Sequence, residues 1–225
     1  MNMLLDPQDL VSRRILEYGS WEPSSWAGIA KHLPAGGTFV DVGAHIGYYT
    51  LKANLAVGPQ GRVIAVEPNP ETLRLLHDNI RESGAKTISV QPYACGDGEG
   101  ELDLYGGAHA NTGVSSLSKA NAAQAGAISR VYRVRVRPLD DIIDEVHPAR
   151  VDVIKIDVEG ADLLVIKGAV RTLSHYKPVL IVEVEDSQLR AMGASADELR
   201  AFLQSQGYTA RRAFGQNVVF SRREE

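Results

Sequence analysis

The sequence predicts a doubly wound α/β fold with a mostly parallel sheet and an antiparallel hairpin at its C-terminal end. From residue 38 onward, short apolar runs such as FVDVG and VIAVEP alternate with helical stretches such as IGYYTLKANLA and PETLRLLHDNIRES. Alternation of this kind indicates parallel strands joined by right-handed helical crossovers. The runs lack a polar face, which is typical of strands covered by helices on both sides. The closing segments GYTARRAF and NVVFSRR flank Gly215-Gln216, which indicates a hairpin.

Two regions lie outside this alternation. Residues 1–35 contain two helix-like segments, and we interpret them as an N-terminal helical cap on an α/β domain that spans 36–225. Within 96–137, ELDLY and VYRVRVR alternate with a period of two and predict a hairpin inserted into the domain. The segment between them is rich in Gly, Ala, Ser and Asn, and it predicts a lid loop over 106–130.

The α/β rhythm resumes after the insertion. VDVIKID and PVLIVEVE predict two further buried strands, and the stretch between them predicts one helix from about Ala161 to Leu173. Ser195, followed three residues later by Glu198, predicts a capping box at the start of the last helix.

Composition and charge narrow the class of protein. A chain of 225 residues with 44% apolar residues is long enough for one globular domain with a full core. A net charge of −4, without a block of Lys or Arg, argues against nucleic acid as a partner. The single cysteine, Cys95, excludes an internal disulfide and suits a reducing compartment. No run approaches the ~20 apolar residues of a membrane span, and no leader pattern opens the sequence, so we expect a cytoplasmic protein without a membrane partner.

The strongest local signal is the segment FVDVGAHIGYYT, where a buried strand ends near Asp41 and a helix begins near Gly47. Glycines in such a turn let the backbone approach a ligand closely, and the helix N-terminus offers free N–H groups. The carboxylate of Asp41 suits a ligand that carries an ammonium or sulfonium group. Twenty residues after Gly47, Glu67 ends the second strand, where an ionised acid can hold both hydroxyls of a ribose.

This segment has two alternative interpretations, an oxidoreductase and a non-catalytic binding domain. A nicotinamide-dependent oxidoreductase would use G-x-G-x-x-G, but here the glycines Gly43 and Gly47 are spaced G-x-x-x-G, and the chain ends in a hairpin. A non-catalytic domain that only binds S-adenosylmethionine would carry the same loop and acid. We favour an enzyme over a non-catalytic binding domain, because further acidic residues follow the later strands.

Four segments together resemble a known family. DVGAHIGYYT, AVEPNP, IKIDVEGADLLVIKGA and LIVEVE are similar to the FkbM-type methyltransferases of the class I S-adenosylmethionine superfamily, and IKIDVEG followed by IKGA is the more specific part. The likeness runs from Trp21 to Glu185 and includes NTGVSSL. It implies a Rossmann-like seven-stranded sheet with an antiparallel last strand. It also implies transfer of a methyl group from S-adenosylmethionine to a hydroxyl of a sugar, polyketide-type or other small molecule.

The resemblance also assigns cofactor residues by position. The loop residues would hold the methionine part, Glu67 with Pro68 would hold the ribose, and three residues after the third strand would border the adenine. The loop set is Asp41, Gly43, Ala44, His45, Ile46 and Gly47, and the adenine set is Ala94, Cys95 and Asp97.

Acids at the carboxyl ends of the later strands are the candidate catalytic residues, because ligands of doubly wound sheets bind at that edge. Asp157 and Glu159 follow VDVIKI, and Glu183 lies in LIVEVE with Glu185 on the same face if the strand continues. Methyl transfer to an alcohol needs alignment and a base, and a carboxylate can take the proton.

Each of these acids has a second interpretation. Asp157 could hold the cofactor's ammonium group, Glu159 could cap the following helix, and Glu183 with Glu185 could be solvated acids. Acids at these strand ends could also bind a divalent metal, which we favour less because Val184 follows Glu183 where another oxygen ligand would be needed.

Overall fold

A computed structural model describes residues 1–107, 115–124 and 128–222 of the chain. The described residues form a seven-stranded sheet with helices on both faces and a smaller four-stranded sheet beside it. The strands of the larger sheet are β1 (Thr38–Val42), β2 (Arg62–Val66), β3 (Ile88–Gln91), β8 (Val153–Ile156), β9 (Val179–Glu183), β10 (Tyr208–Phe214) and β11 (Asn217–Arg222). Their order is β10-β11-β9-β8-β1-β2-β3.

The strand pairing confirms the predicted fold class. β1 pairs in parallel with both β2 and β8, β2 with β3, and β8 with β9, whereas β11 runs antiparallel to β9 and to β10. All five residues of β1 are buried because helices cover both faces of the sheet. The chain leaves β1 toward β2 on one side and returns through β8 on the other. The β1/β8 pair is therefore the topological switch point, where ligands of doubly wound sheets bind.

The helices carry the two apolar layers that enclose this sheet. They are α1 (Leu10–Tyr18), α2 (Pro23–Ala30), α3 (Tyr48–Val57), α4 (Pro70–Ser83), α5 (Lys119–Gln124), α6 (Leu139–Val146), α7 (Asp162–Lys167), α8 (Val170–Tyr176), α9 (Asp186–Ala191) and α10 (Ala196–Ser205). Ile29 and Leu33 of the N-terminal segment pack into the same core cluster as Phe39 and Val153 of the sheet. Ile29 and Leu33 thus pack against one face of the sheet. No helix in the described part of the chain is long and apolar enough to cross a membrane.

Helix ends follow the capping chemistry of the sequence. The Ser195 hydroxyl accepts a hydrogen bond from the backbone N–H of Glu198 at 3.2 Å, which confirms the predicted capping box. Asn69 caps α4 in the same way by accepting from the N–H of Glu71 at 2.9 Å, and Pro70 occupies the first turn.

The predicted helix over 161–173 is wrong, because the structure has two helices, α7 and α8, with Gly168 between them. A Cβ atom at Gly168 would lie 2.0 Å from the carbonyl oxygen of Gly96. Only glycine allows this close approach, and the backbone bends there to let the smaller sheet pack against the larger one.

The smaller sheet contains β4 (Ala94–Cys95), β5 (Gly100–Gly107), β6 (Ser115–Ser116) and β7 (Ile128–Arg137), in the order β4-β7-β5-β6. β5 and β7 pair in an antiparallel arrangement within the predicted insertion. The predicted lid loop differs from the structure, since β6 and α5 lie within it and Asn121 is buried. The rest of that loop, 108–114 and 125–127, lies outside the described residues.

Candidate active site

Two adjoining cavities open at the carboxyl ends of β1, β2 and β8. The first has a volume of about 50 Å³ and the second about 200 Å³. Four residues line both cavities, namely Gly43, His45, Asp157 and Glu159. The cavities therefore meet at the switch point between β1 and β8.

The glycine loop is held tightly against the neighbouring strands. The N–H groups of Gly43 and Ala44 both donate to the carbonyl of Val66 at 3.0 Å. Gly43 has φ of +84°, and a Cβ atom there would lie 1.9 Å from the carbonyl oxygen of Asp157. Glycine is thus required at this position both by the backbone conformation and by the packing of the loop on the end of β8.

Glu67 lies at the tip of β2 and fixes the loop. Its two carboxylate oxygens accept hydrogen bonds from the backbone N–H groups of His45 at 2.8 Å and Asn69 at 2.9 Å. The residue is 6% exposed, and burial raises the pKa of its carboxyl to about 7 despite these two hydrogen bonds. Its remaining lone pairs are available to a ligand in the first cavity, which Glu67 lines.

The first cavity has one polar side and one apolar side. Besides the shared residues and Glu67, its wall contains Val42, Val66, Pro68, Tyr93, Ala94, Cys95, Leu104, Ser115, Leu117, Val158 and Ala161. The ring of Tyr93 packs against the guanidinium groups of Arg135 and Arg137, at 5.3 and 4.9 Å from the ring centre. These contacts hold the ring in place as a flat, apolar wall that suits an aromatic base.

The second cavity lies beneath the N-terminal segment. Its further lining residues are Leu10, Val11, Trp21, Ala44, Tyr48, Tyr49 and Lys155. Three of these side chains are aromatic, and the hydroxyl of Tyr49 donates to Glu22 at 2.9 Å, which ties α3 to the cap. A wall of this composition favours a ring-shaped ligand with polar substituents.

Asp157 is partly exposed at the junction, with 28% of its side chain accessible, and its Oδ2 lies 2.8 Å from the Nζ of Lys155. Burial alone would raise its pKa, but the ammonium of Lys155 outweighs this effect and lowers the pKa below its ordinary value. Asp157 is therefore a carboxylate at neutral pH.

Glu159 also faces the junction, and its backbone is held in an uncommon conformation with φ of +55°. Its carbonyl accepts from Ser116 and Asn121, both at 2.9 Å, and its Oε2 accepts from Gln188 at 2.7 Å. Burial and repulsion by Asp157 and Asp162 raise the pKa of its carboxyl to about 8. The two neighbouring acids thus differ in charge state at neutral pH.

Glu183 ends β9 beside Asp157, and burial together with repulsion by Asp157 raises its pKa to about 10. It is therefore a neutral acid beside Asp157, and it lies on the wall of neither cavity. The prediction that Glu185 shares its face is wrong, because β9 stops at Glu183. Glu185 instead caps α9 by accepting from the N–H of Ser187 at 3.2 Å.

Several residues assigned by resemblance lie off the walls of both cavities. Asp41 is buried within β1 and accepts from the Thr50 hydroxyl at 2.6 Å, and burial raises its pKa. Ile46 is buried and Gly47 caps α3, whereas Asp97 is exposed on the far side of Cys95. The capping role considered for Glu159 is wrong, because α7 has no side-chain cap at its N-cap residue Ala161, and Asp162 in the first turn instead accepts from the N–H of Gly160 at 3.1 Å.

Residues outside the recognised motifs also support the site, and the sequence did not predict them. Ser116, Asn121 and Gln188 hold Glu159, and only the first of them falls in a segment that the resemblance includes. Lys155 was also overlooked, although a lysine inside the apolar run VDVIKID is itself an unusual signal. Among the described residues, no three His, Cys, Asp or Glu side chains are arranged to hold a metal ion.

Residues 41–210 match the model of the methyltransferase FkbM domain. The chain belongs to the FkbM methyltransferase family. Among characterised relatives, it is 26% identical to the AMB antimetabolite synthetase AmbE of Pseudomonas aeruginosa over 78% of this chain and 10% of that protein. It is 29% identical to Methyltransferase 1 of Beauveria bassiana over 57% of each chain. It is 25% identical to the hexuronic acid methyltransferase AglP of Haloferax volcanii over 63% of this chain and 53% of AglP.

The FkbM chain thus spans a tenth of AmbE and little more than half of the other two relatives. A solved FkbM methyltransferase from Methylobacillus flagellatus superimposes with a TM-score of 0.57 at 22% identity, over 83% of this chain and 44% of that one. This likeness confirms the class I methyltransferase fold. Membership in a methyltransferase family does not favour the oxidoreductase alternative.

Proposed function

We propose that this FkbM domain is an S-adenosylmethionine-dependent O-methyltransferase that acts on a hydroxyl of a small-molecule or sugar acceptor. The observation that carries the proposal is the junction of two cavities, one suited to a nucleoside and one to a ring-shaped acceptor, at a pair of acids with different charge states. The relative AglP is by name a hexuronic acid methyltransferase, which supports a sugar as one acceptor class.

The residues of the first cavity fit the cofactor. The carboxylate of Glu67 can accept from the two ribose hydroxyls, and Tyr93, Ala94 and Cys95 form an apolar slot for adenine. The carboxylate of Asp157 can attract the ammonium group near the loop of Gly43. When bound, S-adenosylmethionine supplies an activated methyl group on a sulfonium centre.

The two acids at the junction have different roles, one in binding the cofactor and one in taking a proton. Asp157 is ionised and binds a cation, whereas Glu159 has a pKa of about 8, close to the operating pH that favours a general base. Glu159 lines both cavities, so its carboxylate can take the proton of an acceptor hydroxyl while Tyr48, Tyr49 and the cap hold the acceptor in line. Glu183 remains a neutral acid beside Asp157, because burial raises its pKa.

The proposal is tested by binding and by transfer. S-adenosylmethionine and S-adenosylhomocysteine should bind at micromolar concentrations, and NADH should show no heat of binding in the same calorimetric titrations. A screen of sugar and polyketide-type hydroxyl acceptors with methyl-labelled cofactor should then give an alkali-stable ether product. Tighter binding of NADH than of S-adenosylhomocysteine would disprove the cofactor assignment, and label found only on nitrogen would disprove O-methylation.

Glu67→Ala should weaken S-adenosylhomocysteine binding by about 1.5–3 kcal/mol, the range for hydrogen bonds to a charged group. The wild-type affinity should also fall as pH drops below 7, because the ribose hydroxyls donate to the ionised form of a carboxyl whose pKa is about 7. Calorimetry between pH 6 and 8 measures the slope. Glu67→Gln cannot titrate and should remove that slope, and an unchanged slope in this variant would show that another group is responsible.

A further inference from the structure

Lys155 is a buried lysine near the centre of the parallel sheet. It lies in β8 between β1 and β9, and only 2% of its side chain is exposed. Along β8 it shares a face with Val153, which packs with Phe39 in an apolar core cluster. An ammonium group in such a layer is costly unless it is paired, so its partners define its role.

Two contacts hold the ammonium at the edge of the second cavity. Its Nζ donates to Oδ2 of Asp157 at 2.8 Å and lies 4.8 Å from the ring centre of Tyr49. The Tyr49 hydroxyl in turn donates to Glu22, whose carboxylate also accepts from Asn217 at 3.1 Å. The ring beneath the ammonium is thus tied to the cap and to β11, which restricts where Lys155 can place its charge.

The charged groups around this pair are mostly acidic. Lys155 is faced by Asp41 from β1 and Glu22 from the cap. Three acids face Asp157, namely Glu183 from β9 and Glu159 and Asp162 after β8. The imidazole of His45, in the glycine loop, also faces Asp157, and Asp9 faces that imidazole in turn. Burial lowers the pKa of His45 and favours its neutral form. Without Lys155, the carboxylate of Asp157 would face several acids and no permanent cation among these neighbours.

We propose that Lys155 is a positioning residue that keeps Asp157 an ionised, oriented carboxylate at the junction of the two cavities. This inference rests on the proposed role of Asp157 in binding the ammonium group of the cofactor. Lys155 acts through Asp157, because the bond from its Nζ to Oδ2 fixes the orientation of the Asp157 carboxylate at the junction.

The direct test follows the Asp157 carboxyl carbon by NMR in protein labelled at aspartate, with Asp157→Asn identifying the signal. In Lys155→Met the titration midpoint of Asp157 should rise by about 1–3 pH units, the effect of removing an opposite charge at this distance. Lys155→Arg should restore most of the low midpoint. The matched control, Lys167→Met, removes an exposed lysine of α7 and should leave the midpoint unchanged.

Binding provides the second measurement. One pH unit below the new midpoint, Lys155→Met should bind S-adenosylhomocysteine about tenfold more weakly relative to wild type at the same pH, since Asp157 is then mostly neutral. In an Asp157→Asn background, Lys155→Met should change the affinity less than twofold. Neither measurement needs methyl transfer, so a failure to methylate hydroxyls would disprove the proposed function without deciding this one.

An Asp157 midpoint that stays the same in Lys155→Met, or binding losses that multiply in the double variant, would overturn the proposal. Lys155→Gln is a second neutral variant that keeps a hydrogen-bond donor in case the methionine is not tolerated. If neither neutral variant folds, Lys155 serves the stability of the sheet, and that result would overturn the proposal as well.

Discussion

Glu159→Gln is expected to lower the turnover number by about 10²–10⁴ at saturating cofactor and acceptor, the range lost when a general base is removed. The variant keeps the shape of the side chain and an oxygen that can accept from Gln188. Because Asp157 and Glu67 are unchanged, S-adenosylhomocysteine affinity should stay within about threefold of wild type. Single-turnover transfer of labelled methyl, measured beside calorimetry, separates these two quantities.

The pH dependence of turnover should follow the same residue. The pKa of Glu159 is raised to about 8 by burial and neighbouring acids, so the ionised, active form is lost as pH falls below that value. At saturating cofactor, where the titration of Glu67 no longer limits binding, wild-type turnover should rise with pH up to about 8 and then level off. Glu159→Gln should lack this rise.

Glu185→Gln is the matched control for both measurements. Glu185 is two residues beyond the end of β9 and caps α9, and its glutamine counterpart can still accept from the N–H of Ser187. Its turnover and pH profile should equal those of wild type. Full turnover in Glu159→Gln, with normal affinity, would remove Glu159 as the base and leave the proton to another group.

The sequence predicted the parts of the site that depend on strand ends. Apolar runs fixed where β1, β2 and β8 stop, and parallel pairing then brings Gly43, Glu67 and Asp157 to one edge of the sheet. The hairpin of β10 and β11 was equally readable from its turn. These features are local in sequence, and the geometry of a doubly wound sheet supplies the rest.

The features that could not be predicted depend on contacts between distant segments. Gly168 divides a helical pattern because Gly96, far away in sequence, approaches it closely. Lys155 looks like an interruption of an apolar strand until Asp157 and Tyr49 are seen around its ammonium. Likewise, the role of Asn121 is visible only once helix α5 brings it to the carbonyl of Glu159.

The charge states of the acidic side chains at the site could not be predicted from the sequence either. Asp157 and Glu159 look interchangeable as two acids separated by a single residue, yet Lys155 lowers the pKa of the first, whereas burial raises the pKa of the second. Burial and the neighbouring acids likewise raise the pKa of Glu183, a candidate base by sequence, to about 10.

Gly43→Ala should both destabilise the protein and abolish measurable cofactor binding. A left-handed φ of +84° costs a residue with a side chain about 1–3 kcal/mol, and the new Cβ would also collide with the carbonyl of Asp157 at 1.9 Å. Since that carbonyl belongs to the backbone, the collision is relieved only if the ends of β1 and β8 move apart. Such a movement displaces the loop from Glu67 and Asp157 from the junction. Urea unfolding and calorimetry with S-adenosylhomocysteine measure the two effects.

Gly36→Ala isolates the collision from the backbone strain. Gly36 has φ of +74°, close to that of Gly43, but an added Cβ there would meet no atom within 4 Å among the described residues. Its variant should therefore lose about 1–3 kcal/mol of unfolding free energy and bind S-adenosylhomocysteine normally. The excess loss in Gly43→Ala measures how firmly the loop is held against β8. Equal losses in the two variants, with binding intact in both, would show that the loop can yield and that its contact with Asp157 does not shape the cofactor site.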